Sequence, residues 1–109
     1  MWVKDQSFLG RCNVVYNDHG VDFHKLSDEQ RNAYMKDVVK AVAAITKAFN
    51  TDKINCGAYA DTISHLHFHV VPKYKEGYGF GGVFEMNPQK VTLSDAEYAE
   101  IIEKIKVQL

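Results

Sequence analysis

The chain has 109 residues, of which 46% are hydrophobic and 25% charged, and its net charge is −1 with neutral histidines. This is the length and composition of one globular domain, 1–109, and the even mixing of basic with acidic residues excludes the charge footprint of a nucleic-acid-binding protein. No apolar run reaches the roughly 20 residues of a membrane span. Cys12 and Cys56 are not closely spaced, which favours buried thiols in the cytoplasm over a disulfide.

The first half of the chain predicts two strands and a long helix. The strands are Trp2–Lys4 and Arg11–Tyr16, and the second ends in the turn-forming residues Asn17–Gly20. Ser27 and Gln30 have the spacing of a capping box, which predicts that a helix begins there. Apolar residues then recur at helical spacing and form one stripe: Tyr34, Val38, Val42, Ile45 and Phe49.

The second half predicts a hairpin, a loop and a final helix. Ile54–Tyr59 is typical of a strand, and a five-residue link to the next strand favours an antiparallel pair. Lys73–Gly82 interleaves glycines with aromatic residues and predicts a loop, either a mobile connection or a cover for a ligand or partner. A capping box at Ser94–Glu97 begins a C-terminal helix. The predicted fold class is α+β, with a mostly antiparallel sheet packed against the long helix.

The segment Ser64–Pro72 predicts a strand in which histidines alternate with large apolar residues. Side chains two positions apart share a face, so His65, His67 and His69 would line one wall with about 6.5 Å between neighbours. Three imidazoles spread over about 13 Å cannot bind one metal ion together. The row suits an extended substrate, and the alternative is three unrelated histidines on a solvated face.

Three segments of the sequence resemble the histidine triad (HIT) superfamily. His65–Val71 is similar to its signature, in which three histidines alternate with apolar residues. Gly10–His19 resembles the family's glycine-histidine strand, and Asp22–Ser27 resembles the segment that leads into its long helix. The resemblance implies a HIT-like fold and an enzyme, a nucleotidyl hydrolase or transferase. Its substrate would be a purine nucleotide conjugate cleaved at the α-phosphorus, either a dinucleoside polyphosphate or a nucleoside phosphoramidate.

The resemblance also implies roles for individual residues. His67 would be the nucleophile that becomes covalently nucleotidylated, and His69 would donate to the α-phosphate oxygens. The backbone carbonyl of His65 would hold the far ring nitrogen of His67. The implied substrate-binding residues are Asn55 facing the phosphates, Thr62 near the bridging oxygen, Arg11 on a phosphate and Asp5 on the ribose hydroxyls.

Departures from the family pattern keep two alternatives open. Arg11 stands where many relatives have histidine, and Asp61 where they often have glutamine, so a non-catalytic nucleotide-binding module is the second reading. A zinc protein that uses His19 and His65 is the third, but the cysteine pair of such relatives is missing, so we expect no metal or cofactor. We also expect a homodimer, because small domains have few ways to cover a sheet and HIT proteins of this kind are dimeric. The sequence leaves the base and the leaving group open.

Overall fold

The computed structural model describes residues 5–18, 22–59, 65–85 and 90–109. Its elements, in chain order, are strand β1 (Cys12–Val15), a 3-10 turn (Phe23–Lys25), helix α1 (Asp28–Phe49), strands β2 (Lys53–Gly57) and β3 (His67–Lys73), and helix α2 (Asp95–Lys106). The predicted α+β class is confirmed. The predicted strand Trp2–Lys4, the end of the turn at Gly20 and the link 60–64 lie outside the described residues.

The histidine strand lies at the centre of the described sheet. The strand order is β1-β3-β2, and both neighbours run antiparallel to β3. The antiparallel pairing of β2 with β3 is as predicted from the short link between them. His69 is opposite Asn13 on one side and Gly57 on the other. Because directly opposed residues share a face, Asn13 and Gly57 lie on the same face as His69.

Both helices begin at the predicted capping boxes. The Ser27 hydroxyl accepts from the Gln30 backbone N–H at 3.1 Å, and the Gln30 side chain accepts from the Ser27 N–H at 2.9 Å. Ser94 and Glu97 make the same reciprocal pair at the start of α2. Helix α1 ends at Asn50, whose left-handed backbone (φ 49°) is the conformation that asparagine tolerates at a helix end.

Helix α1 packs on one face of the sheet. Tyr34 and Val38 contact Leu66, and Ile45 packs with Val70 and Cys12. This packing confirms the prediction that the sheet packs against the long helix. Cys12 is buried there, and burial raises the pKa of its thiol to about 11. The prediction was wrong for Cys56, which is exposed because it lies on β2, an outer strand of the described sheet.

The opposite face, which holds His67 and His69, is covered by chain segments. Residues 5–10 and 74–85 fold over it, and Phe8, Val71 and Phe84 form a second small core there. The predicted loop began one residue too early, since Lys73 is the last residue of β3 and pairs with Lys53. Strand β3 also begins later than predicted, at His67, which leaves His65 in a bend before the strand.

Candidate active site

His67 and His69 form a close pair on the face of the sheet away from α1. Their ring centroids are 4.9 Å apart, and both side chains are largely buried. The His65 ring does not extend this row, because its Nε2 hydrogen-bonds the carbonyl of Tyr16, just past β1. The structure therefore brings together two of the three predicted imidazoles and directs the third to the β1 side.

The His67 ring is oriented by a hydrogen bond to the backbone two residues earlier. Its Nδ1 lies 2.7 Å from the carbonyl oxygen of His65. A carbonyl can only accept, so Nδ1 must donate the proton in this bond. In the neutral ring, Nε2 then carries the lone pair. The contact is the one that the resemblance implied, and it requires the backbone of His65, whichever side chain stands there.

The His69 ring has the opposite tautomer. Its Nδ1 lies 3.3 Å from Nη2 of Arg11, and a guanidinium can only donate, so Nδ1 accepts. The proton of the neutral ring is therefore on Nε2. Burial, then the Arg11 charge and the charge on His67, lower the pKa of His69 to about 4. His69 is thus a neutral hydrogen-bond donor at neutral pH.

Arg11 links His69 to the segment that covers the sheet. Its side chain is buried, its Nη1 donates to the carbonyl of Glu85 at 3.0 Å, and its guanidinium lies 5.3 Å from the Phe84 ring centroid. Burial lowers the pKa of Arg11, which remains a cation. Sequence reasoning missed the contact with His69. The contact depends on the register of β1 with β3, in which Asn13, two residues after Arg11, is opposite His69, and no local pattern in the sequence indicates that register.

Asp5 is buried, and its carboxylate accepts hydrogen bonds from Ser7 in its own loop and from the backbone of Lys90 and Val91. One carboxylate oxygen accepts from the Ser7 backbone N–H at 2.8 Å and from the Ser7 hydroxyl at 2.5 Å. Burial alone would raise the pKa of Asp5, but the bonds from Ser7 and from the backbone of Lys90 and Val91 lower it overall. The ribose role of Asp5 stays a prediction. Thr62 lies outside the described residues, as do Asp61 and His19.

Two aromatic rings that sequence reasoning did not assign to the site pack against His69. Tyr59 lies 5.9 Å and Phe84 5.8 Å from its ring centroid, and the two contact each other edge-on. They meet over Gly57, where a Cβ would lie 3.0 Å from the Tyr59 hydroxyl and 3.2 Å from Phe84. Asn55, two residues earlier on β2, lies on the same face, opposite Val71. The structure thus brings Asn55 onto the histidine face.

The described residues contain no group of three or more histidine, cysteine, aspartate or glutamate side chains placed to hold a metal ion. The expectation that no metal is needed stays a prediction. Within the same residues, neither helix is long and apolar enough to cross a membrane.

The fold and the site define a small α+β protein with a buried histidine pair on the central strand of an antiparallel sheet. Comparison with known families gives the particular one: the HIT domain model matches residues 10–76, and the chain belongs to the HIT family. Adenosine 5'-monophosphoramidase of Schizosaccharomyces pombe is 32% identical over 102 residues, covering 89% of this chain and 74% of that protein. Protein hit of Bacillus subtilis is 30% identical over 81 residues, covering 70% of this chain and 56% of that protein.

A solved structure supports the fold independently. The crystal structure of a histidine triad protein from Bradyrhizobium japonicum superposes with a TM-score of 0.86, covering 97% of this chain and 79% of that one. The two sequences are 17% identical, so this likeness shows the fold. The prediction of a HIT-like fold is confirmed.

Proposed function

We propose that this protein hydrolyses a purine nucleotide conjugate at its α-phosphorus through a covalent nucleotidyl-His67. The observation that supports this most directly is the pair of opposite tautomers 4.9 Å apart. His67 has a lone pair on Nε2 because its Nδ1 donates to the His65 carbonyl. His69 has a proton on Nε2 because its Nδ1 faces Arg11. One ring is thus prepared to attack phosphorus and its neighbour to donate to oxygen.

The reaction would proceed in two displacements. The His67 Nε2 lone pair forms a bond to phosphorus as the bond to the leaving group breaks. A polyphosphate departs as an anion, and an amine takes a proton from solvent as it departs. His67 becomes positively charged, and the His65 carbonyl stabilises the proton on Nδ1. His69 donates to the phosphate oxygens, where negative charge is spread in the transition state. The oxygen of a water molecule then bonds to phosphorus as the nitrogen–phosphorus bond breaks, and water loses a proton to solvent. This releases the mononucleotide and returns His67 to its neutral form.

The conjugate would be a nucleoside phosphoramidate or a dinucleoside polyphosphate. The S. pombe relative is named an adenosine 5'-monophosphoramidase, which supports a nucleotide substrate. Asn55 would face the phosphates, Thr62 would lie near the bridging oxygen, and Asp5 would bind the ribose hydroxyls. Arg11 would act on phosphate through its effect on His69 or directly.

A non-catalytic nucleotide-binding module is the second candidate. The observation in its favour is that Arg11, which replaces the family's usual histidine, already donates to the Glu85 carbonyl. Such a module would bind a nucleotide with the same histidine face and release it unchanged.

Rapid quenching separates the two candidates. Wild-type protein mixed with adenosine 5'-phosphoramidate or diadenosine tetraphosphate should give AMP, and peptide mass spectrometry should place the adduct on His67. His67→Ala should lower turnover by on the order of 10³-fold or more, with nucleotide affinity kept within about tenfold, because a nucleophile acts mainly in the transition state. His69→Ala should lower turnover by about 10²-fold.

His65→Ala is the matched control. The backbone carbonyl that orients His67 survives this substitution, so the loss of turnover should be much smaller than in His67→Ala. An adduct on another histidine would refute the assignment of the nucleophile. Bound nucleotide with no mononucleotide product would favour the non-catalytic module.

A further inference from the structure

Two adjoining cavities lie along the outer edge of β2, next to the rings that pack on His69. The larger, of about 650 Å³, is bounded by Tyr59 and Phe84, the two rings that pack on His69. The smaller, of about 210 Å³, is bounded by Lys53, Lys73 and Phe80. Both are also lined by Asn55, Gly81 and Gly82. We call the two together the β2 trough, which leads from the wall of the histidine pair to two lysines.

The two lysines at the far end of the β2 trough are direct cross-strand partners. Lys53 pairs with Lys73 in the antiparallel register, so their side chains leave the same face of the sheet. Opposed residues have Cβ atoms about 5 Å apart, and like charges on directly opposed residues destabilise a sheet. The ion pairs among the described residues are Lys25 with Asp22 and Arg31 with Asp28, so neither trough lysine has a carboxylate there.

Lys73 is also buried, with 2% of its surface exposed. Its Nζ donates to the carbonyls of Gly79 at 2.6 Å and Gly82 at 3.0 Å, and lies 5.1 Å from the Phe8 ring centroid. An ammonium has three donors, so one is left after these two bonds. Carbonyls and an aromatic face solvate the cation without neutralising it, and burial lowers the pKa of Lys73. A buried charge of this kind is stabilised by an anion beside it.

The middle of the β2 trough is open and polar. A Cβ built on Gly81 meets no atom within 4 Å, so the chain itself does not fill this space. Asn55 lies on β2 between Gly57, opposite His69, and Lys53. Its amide N–H groups are donors that suit phosphate oxygens. A chain of phosphates that began at the histidine pair would therefore meet one amide and then two ammonium groups.

We propose that the β2 trough is a subsite for the phosphate groups of the leaving group, with Lys53 and Lys73 as its anion-binding residues. The inference rests on the proposed function and narrows its substrate to conjugates whose leaving group is a phosphate chain. Lys73 lies four residues beyond His69 on β3, about 13 Å at 3.3 Å per residue. The lysines would thus bind distal phosphates, whereas the amine of a phosphoramidate has no charge for them to bind.

Substrate selectivity is the first test. We expect Lys53→Gln to lower the ratio of kcat/KM for diadenosine tetraphosphate to kcat/KM for adenosine 5'-phosphoramidate by about tenfold, the value of one charge-assisted hydrogen bond. Lys53 is exposed, so the variant should fold normally, which circular dichroism checks. Lys75→Gln removes the same charge from an exposed residue that does not line the β2 trough, and should leave the ratio unchanged.

A binding measurement tests the subsite without turnover. Titration calorimetry with inorganic triphosphate should show weaker binding to Lys53→Gln than to wild type and to Lys75→Gln. Equal binding by all three proteins, or an equal loss of kcat/KM for both substrates, would overturn the proposal. If wild type hydrolyses neither conjugate, the proposed function fails, and the triphosphate titration still decides whether the lysine pair binds phosphate.

Discussion

His67 and His69 are opposite tautomers because each ring faces a different group at Nδ1. A neutral acceptor, the His65 carbonyl, fixes one proton on His67 Nδ1, and a cationic donor, Arg11, excludes the proton from Nδ1 of His69. Neither effect requires a carboxylate beside the rings. The resemblance to HIT proteins predicted the first contact because it lies within one local segment. It did not predict the second, which joins residues 58 positions apart.

The depressed pKa of His69 predicts a pH dependence of stability. Burial, Arg11 and His67 lower this pKa from 6.5 to about 4 in the folded protein. Between these values the unfolded chain binds more protons than the folded one, so the free energy of unfolding falls as the pH is lowered from about 6.5 to about 4. A shift of this size corresponds to about 3 kcal/mol.

Urea unfolding at pH 7, 5.5 and 4.5 measures this effect. His69→Gln removes the titrating group. The unfolding free energy of the wild type minus that of the variant should therefore decrease as the pH falls. A difference that stays constant over this range would contradict the assignment. Activity is not needed for this measurement, so the proton on His69 can be tested apart from the chemistry.

At the scale of elements, the junction before β1 is a point of close packing. Gly10 has a left-handed backbone (φ +95°), and a Cβ there would lie 2.8 Å and 2.9 Å from two ring carbons of Phe49, at the end of α1. Gly10→Ala should therefore destabilise the protein by about 2–4 kcal/mol, because it combines backbone strain with a clash against a packed ring.

Gly81→Ala is the matched control for this prediction. Gly81 has nearly the same φ (+94°), but a Cβ there meets nothing within 4 Å, so the variant should lose only the strain contribution of about 1–2 kcal/mol. Chemical denaturation of both variants gives the two values. Equal losses would show that the contact between Gly10 and Phe49 has no part in the stability of this junction.

The same contrast between local and distant contacts decides which elements the sequence predicts. Each helix begins at a serine, Ser27 or Ser94, that makes its capping hydrogen bonds within four residues. The sequence therefore predicts both N-termini directly. The segment 74–85 is different, because its glycines and aromatics predict only a loop. The position of this segment over the sheet is set by Phe84, whose ring packs on His69 and on Arg11. Sequence spacing does not reveal a contact of that kind.

Over the whole molecule, the fold class can be predicted from the apolar pattern of the sequence, but the strand order cannot. Apolar periodicity predicts one sheet face against α1, and the packing of Val38 on Leu66 and of Ile45 on Val70 agrees. The position of β1 beside β3 requires pairing between segments more than 50 residues apart, which periodicity does not specify. For the same reason the two trough lysines look unrelated in the sequence and become neighbours only in the register of β2 with β3.

A homodimer remains our prediction for the whole molecule, and the structure supplies surfaces on which to test it. Val39 on α1 is 65% exposed, and burial of such apolar surface favours association. Light scattering at micromolar concentration should give twice the chain mass for wild type, and Val39→Glu should shift it towards monomer. We expect the interface on α1, so Val107→Glu, at a residue 67% exposed just past α2, should stay dimeric. A wild-type protein that is monomeric at these concentrations would refute the prediction.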